Sequence, residues 1–540
     1  MKRREFIRST ATAGVTGIVG QACSTVGSGT GARTAHTGPG FDIHPFVKNH
    51  PEAVFIRRTT VPEKGDAASI RAESETLARE LIVSTPSGGY PLSTRVIVKP
   101  NWTGAGPKDG KPVFEKLGVN TDPHFVEGWI NGMRDSAPGE FFIRESGSPH
   151  FWEDMGYYAL AERTGTNLRD LSSMDMWELD KDRDLVFVEI PDGVVFREAA
   201  YMAPVNEPDT VLVSIAKYKA HGMGITGAVK NIQGLCPKRF KQFCTRYDQL
   251  LKSYEKPYRK YFRKGFEKDI EALHRKHLDD GIPRWDRPGS EGGIWQEQWC
   301  QRVLDSYTVT RPILSIMEGI YSQDGNGFGT GPHEPLGKYK ITSRDYLTNV
   351  VIFGLDPFRV DIVSHWLAGH EPGNFGLFHI GIERGFSDVL DPYDIPVYEW
   401  KDGTARLSDI DSFERTPLVT YYLQRDYNGQ KEPRFHLCDE PFDYSAWRQG
   451  ARAGDCSPSL ELLGYDSRDQ AVMEIRTPEH TDAFVEILNA KGERVWTLKA
   501  DGLDPGVHQV VWDGFASPGL HSFYVRGMDW DNVRKEVVFT

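Results

Sequence analysis

The chain has 540 residues, 26% of them charged and 39% hydrophobic, with a formal net charge of -12. These values fit a soluble globular protein of more than one domain. The acidic excess, with no clustered basic run, excludes nucleic acid as the main partner. No stretch reaches the roughly 20 apolar residues of a membrane span.

The first element in chain order is a leader. Arg3 and Arg4 precede Phe6, Ile7 and a mildly apolar run, Ala11 to Gly20, that is too short to span a membrane. Residues 1–23 resemble a twin-arginine export signal. The resemblance implies a periplasmic or extracellular protein, with the twin-arginine translocase as its partner during export. Such signals carry proteins that fold before transport. Cys23 stands where a lipid anchor would be attached, but Gly20 occupies a place that lipoprotein signals give to Leu, Val or Ile. The other cysteines, Cys236, Cys244, Cys300, Cys438 and Cys456, show no C-x-x-C spacing, so no iron–sulfur cluster is expected. Residues 24–40 are rich in Gly, Ser and Thr and read as a flexible linker.

From residue 41 to about 465 short β-branched runs alternate with amphipathic stretches. Strands are predicted at Arg95–Val98, Glu140–Ile143, Leu185–Ile190, Thr210–Ile215, Ile313–Met317 and Asn349–Phe353, and helices at Ala67–Ile82, Pro123–Met133, Phe151–Arg163 and Pro357–Leu367. This alternation predicts an α/β fold with a largely parallel sheet and flanking helices. Its core covers about 95–385. Residues 237–281, rich in Lys, Arg and Tyr, read as a helical insertion with its charges in solvent. Residues 470–540 change to strand alternation, as in Phe484-Val-Glu-Ile-Leu and Arg494-Val-Trp-Thr-Leu, and predict a small β-sandwich. Through Gly506-Val-His-Gln-Val-Val-Trp-Asp-Gly514 and Gly519…Tyr524 this segment resembles the Ig-like module of flagellar hook-capping proteins.

The densest polar signatures follow predicted strands. Arg95–Val98 leads into Lys99 and Asn101, and Glu140–Ile143 leads to Glu145. Thr210–Ile215 leads into Lys217, Lys219, His221, Lys230 and Asn231. Ile313–Met317 leads into Glu318, Asp324 and Asn326, and Asn349–Phe353 into Asp356 and Asp361. If the strands are parallel, their carboxyl ends bring these residues to one crevice. Each piece has a plain reading too: Lys99 and Asn101 as partners of backbone groups beside Pro100, the Gly-rich loop around Asn326 as a connector, and Asp356 before Pro357 as an ordinary helix cap.

Together the pieces resemble a bacterial and archaeal family, the domain of unknown function DUF362. The resemblance rests on Ile97-Val-Lys-Pro-Asn101, Asn120-Thr-Asp-Pro123, Glu145-Ser-Gly147 and, most specifically, Lys219-Ala-His221 with Thr226-Gly-Ala-Val-Lys-Asn-Ile-Gln-Gly234. Glu318-Gly319, Gly325-Asn-Gly327, Gly331-Pro332 and Asp356-Pro-Phe-Arg-Val-Asp361 complete it. Two departures stand out: the family usually has Asp where this chain has Glu318, and Phe328-Gly-Thr330 looks inserted. Some relatives carry a ferredoxin-like domain, whose cysteine pattern this chain lacks, so electron transfer is not implied. The family brings no common reaction with it.

Three functions are weighed. The first is an exported enzyme for a small anionic substrate, bearing carboxylate or phosphate. Lys219 and Lys230 would hold the anion and His221 would act as acid or base. Lys99, Asn101, Glu145, Asn231 and Asn326 would bind substrate, and Glu318, Asp324 and Asp361 would hold a divalent metal ion or supply a second base. The second is an extracytoplasmic small-ligand binding protein using the same crevice without catalysis. The third, a scaffold, has no need of so many ionisable residues at strand ends.

Overall fold

The computed structural model describes residues 8–9, 36–102, 118–146, 152–153, 155–169, 171, 179–221, 224–237, 251, 258–283, 285–286, 293–325, 344–420, 424–425, 440–453, 459–465, 471–477, 481–503, 506–512, 519–526 and 533–539. Its contacts divide the chain into two units, Cys23–Phe442 and Asp443–Thr540, the latter together with Met1–Ala22. Among the described residues no helix is long and apolar enough to cross a membrane.

The larger unit is built on one sheet. Its elements are β1 (Val54–Arg58), α1 (Ala67–Leu81), β2 (Arg95–Pro100), α2 (Pro123–Arg134), β3 (Phe141–Ile143), α3 (Tyr157–Thr164), β4 (Asn167–Leu168) and β5 (Thr210–His221). They continue with α4 (Ala228–Asn231), α5 (Phe266–Asp279), α6 (Ile294–Val309), β6 (Leu314–Gln323), β7 (Val350–Gly354), α7 (Pro357–Leu367), α8 (Gly376–Glu383), β8 (Val397–Lys401) and β9 (Thr404–Ser408). The strand order is β9-β8-β1-β7-β6-β5-β2-β3-β4. β6, β5, β2, β3 and β4 are mutually parallel. β7 runs antiparallel to both of its neighbours, β6 and β1. The sheet is therefore mixed α/β and largely parallel, as expected. Residues 185–189, predicted as a strand, pair with residues 198–202 in a separate antiparallel ribbon outside the main sheet.

The local chemistry explains the boundaries. Asp66 caps α1 through Ser69 N, Asp122 caps α2 through His124 N, and Asp356 caps α7 through Phe358 N and Arg359 N. Proline at the first turn of α2 and α7 needs no intrahelical hydrogen-bond partner there. On one sheet face, Val96, Val98, Val213, Ile215 and Ile316 pack against Ile70, Leu77, Phe125 and Trp129 from α1 and α2. Those two helices cross closely because Gly128 and Gly132 face the α1 backbone: an added Cβ would lie 2.2 Å from Arg71 O and 2.3 Å from Glu75 O.

The second unit holds seven further strands: β10 (Ser459–Tyr465), β11 (Ala471–Thr477), β12 (Thr481–Leu488), β13 (Arg494–Leu503), β14 (Gly506–Trp512), β15 (Gly519–Arg526) and β16 (Val533–Phe539). They form two antiparallel sheets, β14-β11-β10 with Arg8–Ser9 at its edge, and β13-β12-β15-β16. One apolar cluster draws on both, with Met473, Ile475 and Trp512 from the first and Val485, Ile487 and Phe523 from the second.

Candidate functional site

The carboxyl ends of β2, β5 and β6 meet side by side. Ser214 pairs with Lys99 across β5 and β2, and Lys217 pairs with Glu318 across β5 and β6. Successive strand side chains alternate in direction, so residues an odd number apart face opposite ways. Lys99 and Ser214 thus share one face, and Lys217 and Glu318 share the other. The residues expected in one crevice are placed in three neighbouring clusters.

The first cluster surrounds Lys99, which is fully buried. Its ammonium donates to Glu145, to Pro100 O at 2.7 Å and to Asn231 Oδ1 at 3.0 Å. Three acceptors match the three protons of an ammonium. Asn231 in turn donates to Lys99 O at 3.1 Å and Ser214 Oγ at 2.9 Å, and accepts from Asn101 Nδ2 at 3.3 Å. Gly234 closes the cluster: a Cβ there would lie 2.6 Å from Glu145 Oε1 and 2.8 Å from Lys99 Nζ. Lys99, Glu145, Asn101 and Asn231 are thus brought together, with Lys99 organising the others.

The second cluster lies on the α2 face. Lys217 Nζ bridges both oxygens of Glu318 at 2.9 and 2.7 Å, and both side chains are completely buried. Glu318 also accepts from Asp122 N and Ile320 N, each at 3.2 Å. Asp122 Oδ2 accepts from the Tyr321 hydroxyl, and Lys217 Nζ sits 4.0 Å from the Tyr321 ring centroid. Burial pushes the Glu318 carboxyl up, against the opposing pull of Lys217, and pushes the Lys217 ammonium down, against that of Glu318. Each is driven toward its neutral form, as desolvation of charge requires. Burial, with Asp122 and Glu318 nearby, holds Tyr321 well above the usual phenol range, so its proton stays on. Thr121 joins the two clusters: its hydroxyl accepts from Asn101 N at 2.8 Å, and it directly precedes Asp122.

The third cluster contains His221 and Lys230. The His221 ring meets Trp299 of α6 edge-on at 4.9 Å, and Lys230 Nζ lies 5.5 Å from the same indole centroid. Asp361 of α7 accepts from Ala228 N and from Val229 N, the latter at 3.1 Å. One turn further along α7, His365 Nε2 accepts from Ile225 N at 3.0 Å. Those bonds hold the segment that carries Lys230 against α7. Burial pushes the Asp361 carboxyl up to about 7, while the two amides and Lys230 pull the other way. Lys219 is buried in β5, and its carbonyl accepts from Thr226 N at 2.9 Å.

Asp356 and Asp361 do not follow the expected route to the crevice. Because β7 is antiparallel to β6, with Gly354 opposite Ser315, its carboxyl end lies at the opposite edge of the sheet. Asp356 sits there as a helix cap, and Asp361 reaches the 228–229 amides only because α7 runs back along the sheet. The three expected metal ligands are not brought together either. Glu318 is held by Lys217, and Asp361 by backbone amides. Asp324 accepts from the Tyr346 hydroxyl at 3.2 Å and from Arg344 N. Among the described residues no three His, Cys, Asp or Glu side chains converge as a metal site, so no step is derived through a metal. Asn326 lies outside the described residues.

Sequence reasoning passed over Lys217 as one lysine among several, met Asp122 only within the Asn120-Thr-Asp-Pro123 motif, and missed Tyr321, Trp299 and His365. Asp122 carried a signal, since Asp before Pro123 marks a cap; its second oxygen, which accepts from Tyr321, is visible only in three dimensions. Trp299 sits in a helix that was not predicted.

Comparison with known proteins gives a family and no closer relative. No curated protein matches the chain. Two structures of β-glucuronidase from Parabacteroides merdae, one with glycerol in its active site, are 13% and 14% identical over 15% of this chain, with TM-scores of 0.13 and 0.12. The chain spans only 13% of the glucuronidase length. An engineered protein is 10% identical over 89% of this chain and 99% of its own, with a TM-score of 0.14. Scores this low carry no argument about fold. Residues 96–364, which contain β2, β5, β6 and all three clusters, match the profile described as "Domain of unknown function (DUF362)", and this central region belongs to the DUF362 family.

Proposed function

We propose that this DUF362-family chain is an exported enzyme that acts on a small anionic substrate, a carboxylate or phosphate, by acid–base chemistry. The supporting observation is the concentration of buried ionisable groups at the ends of three adjacent strands. Lys99, Lys217, Lys219 and Lys230 are each at most 1% exposed, and Glu145, Glu318, Asp122 and Asp361 at most 3%. Taking each ion out of water costs several kcal/mol, which a buried pair regains only with excellent geometry, so such a set is poorly explained by stability alone. Perturbed groups clustered at a ligand-binding edge are the usual mark of a site.

In this reading Lys219 and Lys230 hold the anion, and His221 transfers the proton, placed beside Lys230 by their shared contact with Trp299. The Lys217–Glu318 pair, in which burial pushes the ammonium down and the carboxyl up, supplies the second acid or base. His221→Ala in the mature protein should lower turnover of small carboxylates or phosphate monoesters by about 10²–10⁴-fold, measured at a temperature where circular dichroism shows the variant folded. Retained turnover would remove His221 from the chemistry. Saturable binding of such compounds without product in the wild type would leave a binding protein.

Export is read from Arg3 and Arg4. Replacing both by Lys should keep the protein in the cytoplasmic fraction, and undiminished secretion would sink the assignment. The two-sheet unit is read as an Ig-like appendage through its resemblance to the hook-capping proteins.

A further inference from the structure

Asn101 is 4% exposed, and its Oδ1 is buried with no hydrogen-bond partner. An amide side chain can be turned either way, and only its neighbours decide which end is which. Here the neighbours decide it in two steps. Lys99 Nζ can only donate, so the Asn231 atom 3.0 Å from it must be the oxygen. Lys99 O can only accept, so the Asn231 atom 3.1 Å from it must be the nitrogen. Both ends of Asn231 are thereby fixed independently. Its oxygen also faces the Asn101 amide at 3.3 Å, and an oxygen there accepts only from the Asn101 nitrogen. The orphaned atom of Asn101 is therefore an acceptor.

A buried acceptor without a donor is costly, and native proteins rarely leave one unsatisfied. The donor can be an ordered water or a ligand. Asn101 directly follows β2 at its carboxyl end and is joined through Thr121 to Asp122. We infer that the ligand of this site carries, beside its acidic group, a hydrogen-bond donor such as a hydroxyl or amino group, which Asn101 Oδ1 accepts. The substrate class narrows from any small anion to hydroxy or amino acids and hydroxylated phosphate esters. This inference rests on the anionic-substrate reading above.

Matched pairs separate the two ideas. Binding of lactate against propionate, and of glycerol 1-phosphate against propyl phosphate, is measured by titration calorimetry on the mature wild-type protein and on Asn101→Leu. The hydroxylated member of a pair should bind about 10- to 100-fold more tightly to the wild type, the range expected when the alternative leaves a buried acceptor unmet. In Asn101→Leu that preference should fall to near unity. Equal wild-type binding of both members would overturn this inference, leave the anion site standing and assign the acceptor to water. Binding of neither member would overturn the anion reading and this inference with it. The wild-type comparison decides the matter even if the variant fails to fold.

Discussion

The two units bury opposite kinds of side chain. In Cys23–Phe442 the interior holds Lys99, Lys217, Lys219, Lys230, Glu145, Glu318, Asp122 and Asp361, carried by strands, by the segments that follow or face them, and by the helices α4 and α7. In Asp443–Thr540 the buried polar side chains among the described residues are two histidines, His508 and His521, and the shared core of the two sheets is aliphatic and aromatic. Both units solve the same problem of covering a sheet face. Among the residues whose burial is described, the larger unit accepts the cost of dry charge, at the strand ends of its sheet and again on α6, where Glu297, Arg302 and Asp305 are buried. The contrast teaches where to look for function: the smaller unit's interior is explained by packing, and the larger unit's is not.

The largest expected effect tests that cost directly. Lys217→Met removes the cation between the two oxygens of Glu318 and leaves a buried carboxylate with two backbone amides. Breaking a buried pair in this way costs about 3–5 kcal/mol. Adding Glu318→Leu removes the stranded charge and should recover most of the loss, measured by urea unfolding. Recovery of stability without recovery of turnover would separate folding from function at this pair. A single variant as stable as the wild type would break the comparison, because the larger unit's charges would then be no more costly than surface ones.

A second, smaller effect is a pH dependence confined to the larger unit. His370 follows α7, is fully buried and donates from Nε2 to Leu418 O at 2.7 Å. Burial pushes its pKa down from 6.5 to about 3. The unfolded chain therefore binds a proton that the folded one refuses, and the stability present above pH 6.5 is lost as pH falls toward 3. Between pH 7 and 5 the linkage amounts to about 2 kcal/mol. His370→Gln, which cannot titrate, should flatten that part of the unfolding curve; an identical pH slope in variant and wild type would show that His370 takes up its proton while folded.

The same contrast explains what the sequence made legible. Apolar runs located strands and helices well, and α7 matches its predicted bounds of Pro357–Leu367. They placed the end of β5 at Ile215, because reading stops at the first charge, whereas the strand continues through Lys217 and Lys219 to His221. The strand stays extended because β6 goes on pairing with Lys217 and Lys219, and the 224–225 segment pairs with Ala220 and His221. α6 escaped notice for a related reason. Gln296, Glu297, Arg302 and Asp305 are as buried as Trp299 and Leu304, so no apolar stripe marks its inner face. Glu297 is buried against His277 at 2.8 Å and Asp305 against the 194–196 amides, partners distant in sequence. Strand direction was equally out of reach, since β7 reads alike whether parallel or antiparallel.

The smallest effect belongs to the unit that should behave simply. Ile487 of β12 is fully buried between Val485 and Phe523 in a cluster drawn from both sheets. Ile487→Val removes one methylene from an apolar site and should cost about 1 kcal/mol. Native-state hydrogen exchange of peptides within 481–526 reads this loss in the full chain, unit by unit. The expected cost is the same at pH 7 and pH 5, because none of the carboxylates, lysines or arginines of that unit whose burial is described is buried. Exchange in peptides from β2, β5 and β6 should not move. If the cost at Ile487 depended on pH, the smaller interior would have to feel a charge, and the division between a packing core and a charged edge would fail where it is cleanest.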